Sequence, residues 1–137
     1  MKNTNSFFYC KYASQCFECC KETEMVLSNA DILRIEKLGY KIQDFAFYED
    51  GFFILKNING HCVFLVNGKC SIYENRPEGC KYYPLIFDVE NNSVVIDKDC
   101  PKRDKFNLNN YEYLKSHVLH FVFRLFKEKE ERKKNKK

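Results

Sequence analysis

Eight cysteines limit what this chain of 137 residues can become more than any other feature. Four cluster near the start, as Cys10-x5-Cys16-x2-Cys19-Cys20, and four are spread, as Cys62-x7-Cys70-x9-Cys80-x19-Cys100. Cys is a good small hydrophobe, so one or two are explicable as inert core, but eight in this arrangement are not. The even count allows a disulfide framework. Against it, the opening MKNTNSFFYC lacks the apolar run of a secretory signal, and a chain this long has core enough to fold without staples. Metal ligation accounts for the pattern best, because a buried thiolate needs adjacent positive charge and a metal supplies it directly. All eight, Cys10, Cys16, Cys19, Cys20, Cys62, Cys70, Cys80 and Cys100, are therefore candidate ligands.

The spacing also bears on which metal is held. Cys16-x2-Cys19 lets two sulfurs turn toward one centre, as in zinc knuckles and iron–sulfur loops. Cys20 follows at once, and successive side chains diverge, so Cys19 and Cys20 either serve different centres or only one is a ligand. The vicinal pair argues against a plain zinc ribbon, which is built on two separate CxxC pairs. The later cysteines must converge through the tertiary fold. All-sulfur ligation suits iron and zinc alike. Irregular spacing from a loop plus distant positions favours an iron–sulfur cluster of the [4Fe–4S] type, with Zn²⁺ as the alternative. His61, beside Cys62 at a turn, is read as solvent-facing, and His117 and His120 as surface residues.

Net charge narrows the partners. Lys and Arg total 23 against 19 Asp and Glu, giving +4. Residues 127–137 hold seven basic and three acidic side chains, so the rest of the chain carries 16 of each sign. The excess belongs to a terminal segment, read as a solvated helix end, and not to a basic face. Nucleic acid is thus not the expected partner. Eight thiolates holding two Zn²⁺, or two doubly positive [4Fe–4S] cores, would bring the whole close to neutral. No apolar run approaches the roughly 18–20 residues of a membrane span. The expected setting is cytoplasmic, with a single domain over residues 1–126 and a basic tail over 127–137.

Periodicity predicts an α+β fold with a cysteine-rich N-terminal loop, one short helix, a small antiparallel sheet and a C-terminal helix. Ser28 with Asp31 three residues on forms a capping box, Ile32, Ile35 and Leu38 follow at helical spacing, and Gly39 fits the helix end. Strands flank Asp50-Gly51, and Asn59-Gly60 and Asn67-Gly68 bracket a strand over 62–66. Residues 85–89 and 94–97 read as a further hairpin. A helix from about Tyr111 to Lys129, capped by Asn109, carries an apolar stripe of Leu114, Val118, Phe121 and Leu125.

The second cysteine group reads Cys62-Val-Phe-Leu-Val-Asn-Gly-Lys-Cys70-Ser-Ile-Tyr-Glu-Asn-Arg76-Pro77-Glu-Gly-Cys80-Lys-Tyr-Tyr-Pro84. With the cysteine-rich start and the helix from Ser28 to Gly39, it resembles the YkgJ-like cysteine-cluster family, described as zinc- or iron-chelating domains and grouped with the flagellin lysine N-methylase. The one departure is the five-residue gap between Cys10 and Cys16, where the family has two. The resemblance covers about residues 10–100 and implies metal chelation by the cysteines.

Pro77 favours an extended approach and can open a helical turn carrying Cys80. Arg76 is a candidate cofactor-binding residue, donating hydrogen bonds to cluster sulfurs, with a pair to Glu74 or Glu78 as the alternative. Tyr73, Tyr82 and Tyr83 are expected to pack around the metal site.

Three functions fit these features. The first is a small accessory, electron-transfer or sensor module working with a protein partner. The second, by analogy with the methylase, is an enzyme subunit using a cluster and S-adenosylmethionine. Against it, the five glycines sit at turn-like positions and none forms GxGxxG after a strand. The third is a zinc-stabilised protein-interaction module.

Overall fold

A computed structural model describes residues 24–83, 85–97 and 112–135. Strand β1 (Val26–Leu27) leads into Ser28, whose hydroxyl accepts the Asp31 N–H while the Asp31 carboxylate accepts the Ser28 N–H. This reciprocal cap starts α1 (Asn29–Glu36). The helix ends at Lys37, a turn earlier than the spacing implies, so Ile32 and Ile35 are buried but Leu38 is exposed. A single turn, α2 (Ile42–Phe45), then feeds β2 (Ala46–Glu49). Asp50 and Gly51 both adopt positive φ, 52° and 92°, as a two-residue hairpin turn requires. They return the chain as β3 (Phe52–Leu55), which pairs with β2 on one side and β1 on the other. All three strands are antiparallel, in the order β1-β3-β2.

The run from Cys62 to Val66 is not one strand. It divides into β5 (His61–Cys62), paired with β4 (Asn57–Ile58), and β6 (Leu65–Val66), paired with β7 (Lys69–Cys70). The chain changes partners at Val63-Phe64. Val63 still donates to Lys56 O, whereas Phe64 O already accepts from Ser71 N. The break turns Phe64 inward, with ring centroids 5.1 Å from Tyr40 and 6.0 Å from Phe45. A 3₁₀ turn (Tyr73–Asn75), α3 (Glu78–Tyr82) and the hairpin β8 (Leu85–Asp88) and β9 (Ser93–Ile96) follow.

Two apolar clusters hold these pieces together. One joins α1 and the sheet through Leu27, Ile32, Ile35, Phe45, Leu55, Phe64 and Ile72. The other sets α4 (Glu112–Asn135) on α3 and the β8–β9 hairpin, burying Leu114, Val118, Phe121 and Leu125 against Tyr82, Leu85 and Val94. Each such side chain contributes roughly 1.5–3 kcal/mol on leaving water. The fold is thus α+β, with short antiparallel ladders and a long C-terminal helix. That helix passes residues 126 and 127 without a break and runs to Asn135, beyond the expected end near Lys129. Asn109, its expected cap, lies outside the described residues. Among the described residues no helix is long and apolar enough to cross a membrane.

Candidate metal centre

Hairpin geometry places two of the cysteines. Cys62 closes β5 opposite Asn57, and Cys70 closes β7 opposite Leu65. Both pack against the first apolar cluster, Cys62 buried within it and Cys70 half-buried at its edge. The backbone N–H of Phe64 donates to Cys62 Sγ at 3.4 Å. A hydrogen bond aimed at a sulfur stabilises its charged form, the form that binds a metal.

Cys80 comes from α3, whose first turn is fixed from outside. Pro77 is fully buried and has no N–H to satisfy. The bonds on either side of it reach α1: Arg34 Nη2 donates to Arg76 O at 2.9 Å, and Glu78 N donates to Asp31 Oδ1 at 2.9 Å. Asp31 is wholly buried, accepts from Ser28 N at 3.0 Å and pairs with Arg34 Nη2 at 2.7 Å. Arg34 Nε is buried without a hydrogen-bond partner. The Glu78 carboxylate accepts from Tyr82 Oη at 2.7 Å and Arg124 Nη1 at 3.0 Å, binding α3 to α4. Gly79 lets the chain before β1 approach closely, since a Cβ there would stand 2.4 Å from Met25 Sδ.

Lys81, next in the chain after Cys80, is half-buried. Burial, and then the charges of Arg34 and Arg76, hold the Lys81 ammonium below its ordinary pKa. Arg76 folds back on its own loop, with Nε donating to Tyr73 O at 3.0 Å and the guanidinium 3.9 Å above the Tyr73 ring. Glu78, one of the carboxylates proposed for Arg76 from sequence, is engaged by Tyr82 and Arg124. Tyr83 Oη donates to Asp97 Oδ2 at 2.6 Å. His61 is half-buried at its turn, with Nδ1 3.0 Å from Asn59 O, while His117 is half-buried and His120 exposed on α4.

Cys10, Cys16, Cys19, Cys20 and Cys100 lie outside the described residues. Among the described residues, no three of His, Cys, Asp and Glu gather as a metal site. The donor chemistry of Cys62, Cys70 and Cys80 nevertheless suits zinc or iron, with sulfur donors and an amide directed at one sulfur. Sequence reasoning missed Arg34 and Arg124, knew Asp31 only as a cap, and offered Glu78 only as a partner for Arg76. Their partners in the clamp lie 42 to 47 residues away, and no local pattern encodes such pairings.

In comparisons with known proteins, no curated protein and no solved structure matches the chain. A family model, CxxCxxCC, "Putative zinc- or iron-chelating domain", matches residues 9–113. That range takes in all eight cysteines, the Asp31–Arg34 pair and the Arg76-to-Cys80 segment just described. The chain belongs to the CxxCxxCC family of chelating domains.

Proposed function

We propose that this protein holds an iron–sulfur cluster of the [4Fe–4S] type, with Zn²⁺ as the second choice, through its cysteines, and serves as a small accessory, electron-transfer or sensor module in the cytoplasm. The observation that carries the reading is the buried Cys62 sulfur accepting an amide N–H, on the core to which Cys70 also belongs. Cys62, Cys70 and Cys80, with the cysteines at 10, 16, 19, 20 and 100, would supply the ligands. A bound cluster would supply one-electron chemistry, and zinc a structural tie. The chain's own part at Cys62 is to favour the ionised sulfur, through the Phe64 amide.

A protein partner is supported by Leu119, Phe123 and Phe126, which lie at helical spacing on α4 and remain exposed, Phe123 by 71%. Anaerobic purification followed by analysis for iron, sulfide and zinc, with an absorption spectrum near ~400 nm, tests the reading. Stoichiometric iron and sulfide with a charge-transfer band are expected. Stoichiometric zinc without sulfide selects the second choice. Folded protein without metal defeats both.

A further inference from the structure

We infer that Asp31 and Arg34 of α1 are positioning residues for Cys80, so that metal affinity is governed from a helix that carries no cysteine. This rests on the proposal that the cysteines ligate metal. The two residues grip the backbone on both sides of Pro77, Arg34 at the Arg76 carbonyl and Asp31 at the Glu78 amide. Between those points the chain has one buried proline and no free amide to shift the register. Cys80 N closes back on Pro77 O at 2.9 Å, so the gripped peptides and the cysteine form one turn.

A five-residue helix does not hold its own shape in water, so its orientation comes from what grips it. Metal–sulfur distances tolerate only about ±0.2 Å, which makes small rotations of that turn costly to binding. Loss of an orienting partner typically weakens metal affinity about 10–100-fold. Asp31 has a further mark of a positioning group. One buried carboxylate caps α1, pairs with Arg34 and meets the first amide of α3, so the two helices are fixed in one step.

The test uses the full chain freed of metal. Zn²⁺ affinity is measured by competition with a chromogenic chelator, and Co²⁺ binding by its sulfur-to-cobalt absorption. Asp31→Asn and Arg34→Met are compared with Ile35→Val, a core substitution on the same helix that lowers stability without touching the clamp. The expected result is a loss of about 10–100-fold in Zn²⁺ affinity and a weakened cobalt band for the two clamp variants, with Ile35→Val unchanged. Wild-type protein that binds Zn²⁺ while both clamp variants match it within about twofold, well short of the ~10-fold loss, overturns the inference and leaves the ligation reading standing. Wild-type protein that binds neither ion overturns the ligation reading and the inference with it. Arg34, one-third exposed, carries the decision should Asp31→Asn fail to fold.

Discussion

Two neighbouring cations near the end of α4 should behave very differently when removed. Arg132 Nη1 donates to Gly51 O at 2.8 Å and Nη2 to Asn29 Oδ1 at 2.5 Å. Its guanidinium lies 4.9 Å from the Phe53 ring centre and 3.7 Å from Glu128 Oε1, which itself accepts the Asn29 N–H at 2.9 Å. The Arg132 and Glu128 side chains are only 15% and 13% exposed. Two hydrogen bonds at partly wet sites contribute roughly 0.5–1 kcal/mol each, and the ring contact a similar amount. Arg132→Ala should therefore cost about 2 kcal/mol, a fall of roughly 6–10 °C in the thermal midpoint for a domain of this size. Lys133 pairs with Asp50 at 2.5 Å, but both groups stand in water, so Lys133→Ala should leave the midpoint within error. Urea denaturation and differential scanning calorimetry measure both. If Arg132→Ala behaves like Lys133→Ala, the end of α4 does not clasp the sheet and the reasoning is refuted.

Further outcomes follow from the same geometry. The hydrogen bond and charge of Lys133, and then the charge of Lys129, hold the Asp50 carboxyl below the ordinary 3.8. With both groups in water the stability tied to the shift is too small to register in the melts, though its sign is fixed: present at neutral pH and lost as pH falls through the lowered value; a carbon-detected NMR titration should find that midpoint, and Lys133→Ala should move it back up. Gly79→Val should cost about 2 kcal/mol by overpacking, with Met25→Ala recovering part of it in the double variant, because Met25 Sδ is the atom in the way. Burial, and then the Glu78 carboxylate, push the Tyr82 phenol above its ordinary range. Tyr82→Phe should cost about 1 kcal/mol at neutral pH and lose less stability than wild type as pH rises past about 10, which urea melts across that range will show.

Local signals survived into the fold wherever one residue's chemistry decided the outcome. The Ser28–Asp31 box, the Asp50-Gly51 turn and the Leu114, Val118, Phe121 and Leu125 stripe were all legible. The strand over 62–66 was misread because its residues change partners at Phe64, and alternation is blind to which neighbour accepts a hydrogen bond. The basic segment from residue 127 looked solvated because charge content hides the apolar stems of long cations. Lys129 Nζ in fact lies 4.9 Å from the Phe52 ring centre. At the candidate site the cysteines announced themselves, while the clamp around Pro77 did not. It consists of side chains bonding distant backbone groups, an arrangement without period or spacing.

The clamp bears on how metal and fold should depend on each other. A CxxC knuckle can present two sulfurs with little help from the rest of a protein. Cys80 is different, because α3 is held by α1 through Asp31 and by α4 through Arg124, so its place exists only when those helices are assembled. An unfolded chain offers metal only loosely arranged sulfurs. Binding that prefers the folded form adds stability as RT ln(1 + [L]/Kd), about 2.7 kcal/mol at one hundred times Kd, less whatever the unfolded chain binds. Under the proposed function, Zn²⁺ titrated into metal-free protein should raise the unfolding free energy toward that figure, and a chelator should reverse it. A bound metal that leaves the urea midpoint unmoved would mean the unfolded chain holds it equally well, and the sulfurs would then owe nothing to the helices around them.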